Sequence, residues 1–131
     1  MKFSFSKKSV SIMVIVVLLC SFSTTVFAAY ETESNNSKAS ANATTISASN
    51  GGFIDSTDVD YWVITSDTYG SRTLQASGNV VITVEDQYGV IGTKPLNSTT
   101  LSWSQTNSGP IYIKVSPPIQ SGNGYYGFTL Y

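Results

Sequence analysis

The sequence predicts an all-β protein, folded as a sandwich of two antiparallel sheets in a single small domain. Its candidate strands are short and rich in Val, Ile, Thr, Tyr and Trp. Gly, Asn, Asp and Pro separate them at intervals of roughly ten residues, a spacing typical of β-sandwiches. Apolar residues do not recur at helical spacing, apart from a weak pattern over residues 38–45.

Eight strands are expected, separated by turn-forming residues. The fragment YWVITS ends at the turn sequence DTYG, residues 67–70, and NVVITVE ends at DQYG, residues 86–89. Asp and Gly are common in turns, because Asp bonds to its own backbone and Gly accepts positive φ. In chain order, the strands are predicted at residues 52–55, 61–66, 72–76, 79–85, 90–94, 99–104, 111–116 and 125–131.

Alternation along these strands assigns their faces, because successive side chains of a strand point to opposite sides. The outward positions include Tyr112, Lys114, Tyr125, Thr129 and Tyr131. We expect the last strand to pair inside the sandwich. The predicted inward residues are Trp62, Ile64, Val80, Ile82, Val84, Ile111, Ile113, Val115, Tyr126, Phe128 and Leu130.

Residues 1–28 have the pattern of a signal peptide. Three lysines within the first eight residues precede an apolar run over residues 10–20, and small residues follow, so cleavage is expected after Ala28 or after Ala29. The run is too short for a membrane span of about 20 residues, although an uncleaved anchor is the alternative. Cys20 lacks the small preceding residues of a lipid-attachment site. We therefore predict a secreted, extracellular domain over residues 29–131 that has no membrane contact after cleavage.

Composition excludes several kinds of chemistry. The 131 residues contain no His and a single Cys, so Ser-His-Asp catalysis, His-ligated zinc and an internal disulfide are not expected. The near-neutral formal charge of −1 argues against nucleic-acid binding, which needs a basic surface. Without residues 1–28, four basic and eight acidic side chains remain, giving a formal charge of −4. Since small secreted domains often need a disulfide or a metal for stability, a metal becomes the expectation for this chain, which we take to be a monomer.

Acidic residues are concentrated in two segments, ETESNN at 31–36 and DSTDVD at 55–60. Carboxylates at alternate positions of an extended segment lie on the same side and repel each other unless a cation neutralises them. Carboxylate, amide and carbonyl oxygens are the ligands that Ca²⁺ prefers. The two segments could therefore form one calcium site. The alternative is that these are solvated loop residues, because Asp and Asn are common in turns.

The motifs ETESNNS at 31–37, GFI at 52–54 and DVDYW at 58–62 resemble the bacterial pre-peptidase C-terminal domain family. The collagen-binding domains of clostridial collagenases are similar to this family. The fragments GPIYIKV at 109–115 and GYYGFTL at 124–130 resemble its last two strands. Together the motifs extend over nearly all of residues 29–131.

The resemblance implies a jelly-roll-like β-sandwich, of the kind found beside secreted protease domains, that holds Ca²⁺. Ser34 stands where the family often has Pro, which loosens the approach to the site without removing a ligand. By position in the motifs, the implied ligands are Glu31, Glu33, Asn35, Asp58 and Asp60, with Asn36 and Asp55 as further candidates.

Outward aromatic residues suggest a binding surface. If the strand from Ile111 pairs with the last strand, Tyr112, Tyr125 and Tyr131 lie close together beside Lys114. Such a patch suits an extracellular protein or a cell-surface polysaccharide, whereas scattered surface tyrosines need no explanation. We expect a non-catalytic binding module that uses Ca²⁺. The alternatives are a small glycosidase with paired carboxylates and an inhibitor or accessory protein of a secreted protease.

Overall fold

In a computed structural model of the chain, residues 28–67, 69–118 and 123–131 are described. The predicted signal peptide, residues 1–28, lies outside these ranges except for Ala28. A 3₁₀ turn occupies Lys38–Ser40, where the sequence has its weak helical pattern. The strands are β1 (Ala28–Tyr30), β2 (Asn42–Ala43), β3 (Ser49–Ile54), β4 (Asp60–Asp67), β5 (Gly70–Ser77), β6 (Val81–Glu85), β7 (Val90–Lys94), β8 (Thr100–Gln105), β9 (Gly109–Ser116) and β10 (Gly124–Leu130).

The strands form two packed sheets of five. Sheet I has the order β1-β3-β10-β5-β8, and sheet II has the order β2-β4-β9-β6-β7. The eight strands β3 to β10 pair antiparallel, and their order is that of a jelly roll. The short strands β1 and β2, which the sequence did not predict, pair parallel with β3 and β4 at the sheet edges. The predicted all-β sandwich of jelly-roll type is confirmed.

The predicted alternation of faces is also confirmed. All eleven predicted inward residues are buried, and Ile54, Leu74 and Trp103 join them in one core between the sheets. Trp62 and Phe128 meet edge to face in this core, with ring centroids 5.6 Å apart. Along β4 the inward side begins with Asp60, which brings a carboxylate to the edge of the core.

The strand from Ile111 does not pair with the last strand, which was the condition for one patch of tyrosines. β9 pairs with β4 and β6 in sheet II, whereas β10 pairs with β3 and β5 in sheet I. Alternation shows which face of a strand is buried, but it does not show which strand lies next to it. Tyr112 therefore lies on the opposite sheet from Tyr125 and Tyr131, and these three residues do not form one patch. β10 is an interior strand of its sheet, as expected.

Lys94 is an unexpected member of the interior, with 1% of its surface exposed. Its Nζ donates hydrogen bonds to the carbonyl oxygens of Val80, at 3.0 Å, and Pro95, at 3.1 Å. Burial lowers the pKa of this ammonium group, because the charged form loses its hydration. Within the described ranges, no helix has the length and apolar character needed to cross a membrane.

Candidate metal centre

The chain after β1 carries Glu31 across the surface of β3. The Glu31 N–H donates to the Gly51 carbonyl oxygen at 3.0 Å, and the Phe53 N–H donates to Glu31 Oε1. The Glu31 carboxylate lies directly over Gly52, where a Cβ atom would overlap it. Glycine inside a strand often marks such a close approach. Gly52 is therefore required for this position of the Glu31 carboxylate.

A hydrogen-bonded chain holds the same carboxylate from the core. Trp62 Nε1 donates to Tyr126 Oη at 2.9 Å, and the Tyr126 hydroxyl donates to Glu31 Oε2 at 2.8 Å. Burial raises the pKa of Tyr126, with a smaller contribution from the charge of Asp60, so this hydroxyl stays protonated and able to donate. Because Trp62 belongs to sheet II and Tyr126 to sheet I, both sheets fix the position of Glu31.

Three carboxylates converge at this point. Glu31, Glu33 and Asp60 each place an oxygen within 4.8 Å of the others. Asp60 has no exposed surface, and among the described residues neither of its carboxylate oxygens has a hydrogen-bond partner. A buried carboxylate normally has several donors around it, because the loss of hydration is costly. This one faces two further carboxylates instead.

Asn35 lies beside this cluster and is also fully buried. Its carbonyl oxygen accepts a hydrogen bond from the N–H of Tyr61, the residue after Asp60, at 2.9 Å. Both polar atoms of its side-chain amide lack a hydrogen-bond partner in the described part of the chain. Asn35 and Asp60 thus lie on backbone segments that are hydrogen-bonded to each other. Both have fully buried polar side chains without a partner among the described residues.

The pKa values of two carboxyl groups in this cluster are raised. Burial raises the pKa of Asp60 to about 8, and the neighbouring carboxylates of Glu31 and Asp58 add to the increase. Partial desolvation raises the pKa of Glu33, and Asp58 and Glu31 again contribute. At Asp60 the main cause is complete burial, whereas Glu33 is exposed and is affected by partial desolvation and by the neighbouring negative charges. A bound cation would reverse both increases.

The remaining predicted ligands form hydrogen bonds within the loops. Asp58 Oδ1 accepts from the Val59 N–H at 2.8 Å and from Asn36 Nδ2 at 3.1 Å. Asp55 Oδ1 accepts from the N–H and hydroxyl of Thr57, at 2.7 and 2.9 Å, and these bonds lower the pKa of Asp55. The structure thus brings together Glu31, Glu33 and Asp60, with Asn35 beside them. Asn36, Asp55 and Asp58 shape the surrounding loops.

The predicted binding tyrosines are divided between the two sheets. Tyr112 is half-buried on the outer side of sheet II, where the Lys38 ammonium lies 4.9 Å from its ring centroid. Lys38 also forms an ion pair with Glu85 at 2.6 Å. Tyr125 and Tyr131 lie on the outer side of sheet I and are 73% and 54% exposed.

Sequence reasoning did not find the residues that support the cluster. Tyr126 and Trp62 were predicted only as core residues, and Gly52 only as part of a strand. Two signals were available. A buried tyrosine needs a partner for its hydroxyl, and a glycine inside a strand indicates that another group approaches the backbone.

The donor set fits a hard divalent cation. It consists of oxygen atoms alone, since the sequence has no His and its single Cys is at position 20. Zinc prefers nitrogen and sulfur ligands, whereas Ca²⁺ accepts carboxylate and amide oxygens in irregular geometries. Mg²⁺ retains several waters, which suits a buried set of protein oxygens less well. Among common cations, the residues therefore fit Ca²⁺ best.

Comparison with known proteins adds a structural likeness. No protein-family model and no curated protein matches the sequence. The fold is similar to that of Aeromonas hydrophila PliG, a periplasmic lysozyme inhibitor of g-type lysozyme, with a TM-score of 0.57. The match covers 70% of this chain and 96% of that one, at 13% sequence identity. At this identity the likeness shows the fold alone.

Proposed function

We propose that the protein is a secreted, non-catalytic binding module whose N-terminal segment is fastened to the sandwich by one Ca²⁺. The observation that carries this proposal is the fully buried Asp60 carboxylate, which has no hydrogen-bond donor among the described residues and faces Glu31 and Glu33. Asn35, equally buried and without a side-chain partner among the described residues, lies on the segment bonded to Tyr61 and would supply a neutral oxygen. The predicted signal peptide supports an extracellular location.

Calcium would act on stability and not on a reaction. Three carboxylates within 4.8 Å repel one another, and a divalent cation replaces that repulsion with attraction. Glu31 and Glu33 belong to the segment after β1, whereas Asp60 begins β4 of the other sheet. A shared ion would therefore join the N-terminal segment to both sheets and stabilise the folded state by mass action.

The same geometry argues against a glycosidase. Such enzymes place two carboxylates on either side of a scissile bond, where the substrate must reach both. Asp60 has no exposed surface, and Glu31 is held by Tyr126 and by the backbone of Phe53. Neither group is placed to act on a polysaccharide. The lack of His in the sequence likewise supports a role without catalysis.

Thermal unfolding tests the calcium proposal. Residues 29–131, which we call the secreted form, are heated until they unfold in 10 mM Ca²⁺, in 10 mM Mg²⁺ and in EDTA at constant ionic strength. Extracellular calcium modules have dissociation constants of roughly 10⁻⁴ to 10⁻³ M, so 10 mM Ca²⁺ is expected to stabilise the fold by about 1.4–2.7 kcal/mol. Mg²⁺ is expected to have a smaller effect. Identical melting temperatures in Ca²⁺ and EDTA would contradict the proposal.

A second candidate is an inhibitor of a secreted enzyme, and it is favoured by the likeness to PliG over 96% of that chain. An inhibitor acts through its surface and needs no catalytic group, which agrees with the composition. The test is the lytic activity of a g-type lysozyme on bacterial cell walls with and without an excess of this protein. Unchanged lysis at a tenfold molar excess would remove that enzyme as the target.

A further inference from the structure

The outer face of sheet I differs chemically from every other surface of the sandwich described above. The outward positions of β3, β5, β8 and β10 hold only Gly, Ser, Thr, Gln, Phe and Tyr among the described residues. We call this surface the neutral face. On sheet II, by contrast, Lys38 pairs with Glu85, and the Lys114 ammonium lies 6.0 Å from the ring centroid of Tyr61.

We propose that the neutral face binds an uncharged polysaccharide chain. The proposal deepens the proposed function, on which it rests, by naming the class of partner. Its first support is a cluster of exposed aromatic rings at one end of the face. Phe53 and Tyr125 are opposite each other in register, with ring centroids 5.1 Å apart and planes inclined at 66°. Phe53 is 38% exposed and Tyr125 is 73% exposed.

Exposed rings of this kind suit sugars. The C–H bonds on one side of a pyranose ring carry a slight positive charge, and the face of an aromatic ring is slightly negative, so the two stack favourably in water. Tyr30, in the neighbouring strand β1, adds a third ring that is 61% exposed. Such a cluster on a small secreted protein is the kind of surface patch that marks an interaction site.

A shallow groove continues from the aromatic cluster along the strands. Gly127 of β10 lies in its lining and carries no side chain. The groove encloses about 310 Å³ and is lined by Ser49, Gln75 and Thr129, among others. Hydroxyl and amide groups can both donate and accept hydrogen bonds, as the hydroxyls of a sugar require. The volume is at the lower end of small-molecule sites.

The length and charge of the face favour a neutral glycan over other partners. Tyr125 and Tyr131 are six residues apart on or next to β10, or about 20 Å along an extended strand, which accommodates an extended chain. Anionic polymers need Lys or Arg to neutralise their charge. The outward strand positions of this face have none of these residues in the part of the chain that the structure describes.

Binding to neutral glycans tests the proposal. The secreted form, in 10 mM Ca²⁺, is titrated with chitohexaose and with cellohexaose, and its depletion by insoluble chitin, cellulose and collagen is measured at low and high salt. We expect binding to at least one of the neutral glycans that does not change with salt. The amide signals of Gly127 and Ser77 should shift in nuclear magnetic resonance spectra of the complex.

Matched variants locate the surface. Tyr125→Ala and Phe53→Ala are expected to weaken glycan binding at least tenfold, because each removes a stacking ring. Tyr88→Ala is the control, since Tyr88 is 76% exposed on the turn between β6 and β7 of the other sheet. It should bind as the parent does. All three variants should keep the parent's melting temperature, because the residues are outside the core.

Three outcomes would overturn the assignment: no binding to either hexasaccharide or polymer, equal loss of binding in Tyr88→Ala and Tyr125→Ala, or binding to collagen alone. These results are independent of the calcium measurement. A protein that is stabilised by Ca²⁺ but binds no neutral glycan would retain the proposed calcium site and lose this partner. A protein that binds glycans but melts identically in Ca²⁺ and EDTA would retain the glycan partner and lose the proposed calcium site.

Discussion

Asp60 and Asp86 are both buried aspartates of one sandwich, yet their carboxylates meet opposite surroundings. Asp86, 4% exposed, accepts from the N–H groups of Tyr88 and Gly89 through one oxygen and from Asn107 Nδ2 through the other. Burial alone would raise the pKa of Asp86, but these donors outweigh it, and the pKa is lowered. Asp60 has no hydrogen-bond donor in the part of the chain that the structure describes, and burial raises its pKa to about 8.

The comparison shows what each site needs. At Asp86 the turn between β6 and β7 itself donates hydrogen bonds to the carboxylate. The negative charge is therefore stabilised without a bound ion. At Asp60 the converging groups are carboxylates, and a bound cation would supply the positive charge that the described residues do not place there. Four experiments test this difference between Asp60 and Asp86, in order of decreasing expected effect.

Substitution of Asp86 should be the most damaging change. Asp86→Ala removes an acceptor from two backbone N–H groups and from the Asn107 amide, so we expect a loss of roughly 2–4 kcal/mol of unfolding free energy. The loss should be equal in Ca²⁺ and in EDTA. Chemical denaturation under both conditions measures it, and a loss that is larger in Ca²⁺ than in EDTA would show that Asp86 also takes part in metal binding.

Asp60→Asn should remove the response to calcium and not the fold. In EDTA the variant is expected to be at least as stable as the parent, because one of three facing carboxylates has become neutral. The stabilisation of about 1.4–2.7 kcal/mol by 10 mM Ca²⁺ should fall close to zero. The measurement is again unfolding in Ca²⁺ and EDTA. A full calcium response in this variant would exclude Asp60 as a ligand.

The pH dependence of the metal-free protein should reveal the raised pKa of Asp60. A carboxyl group whose pKa is higher in the folded state contributes stability below its unfolded pKa, and this contribution is lost as the pH rises through its folded pKa. In EDTA, unfolding free energy should therefore fall by about 1 kcal/mol or more between pH 4 and pH 8. Asp60→Asn should flatten this trend in urea denaturation, and an unchanged slope would assign it to another group.

Asp58→Asn should have the smallest effect of the four. Asp58 already accepts hydrogen bonds from Val59 and Asn36, and it is outside the group of three converging carboxylates. Its charge still adds to the negative potential around Glu33 and Asp60. We expect the calcium affinity, measured by calorimetry, to fall less than half as far on a free-energy scale as in Asp60→Asn. A larger loss would place Asp58 among the direct ligands.

Much of this architecture could be predicted from the sequence, and the failures have physical causes. Alternation identified the inward residues because a two-residue period is a local property of each strand. The neighbours of β9 and β10 could not be obtained in this way, since pairing depends on the path of the whole chain. β1 and β2 are too short to leave a periodic pattern.

Only part of the candidate metal centre could be predicted from the sequence. The motif placed Glu31, Glu33, Asn35 and Asp60 in the expected set, and the fold brings the three carboxylates together with Asn35 beside them. The separation of Asp55 and Asp58 from that group depends on hydrogen bonds within the loop, which the sequence does not reveal. The burial of Lys94 was equally hidden, because a lysine in a polar sequence is normally solvated.

The interior place of β10 in sheet I also affects the order in which the sheet can form during synthesis. β3 and β5 each pair with β10, so both keep an unpaired edge until residues 124–130 have emerged from the ribosome. Sheet I therefore closes through contacts between distant parts of the chain, which form more slowly than local ones. The topology that positions the sandwich's last strand thus postpones folding until after nearly all of the domain has been translated.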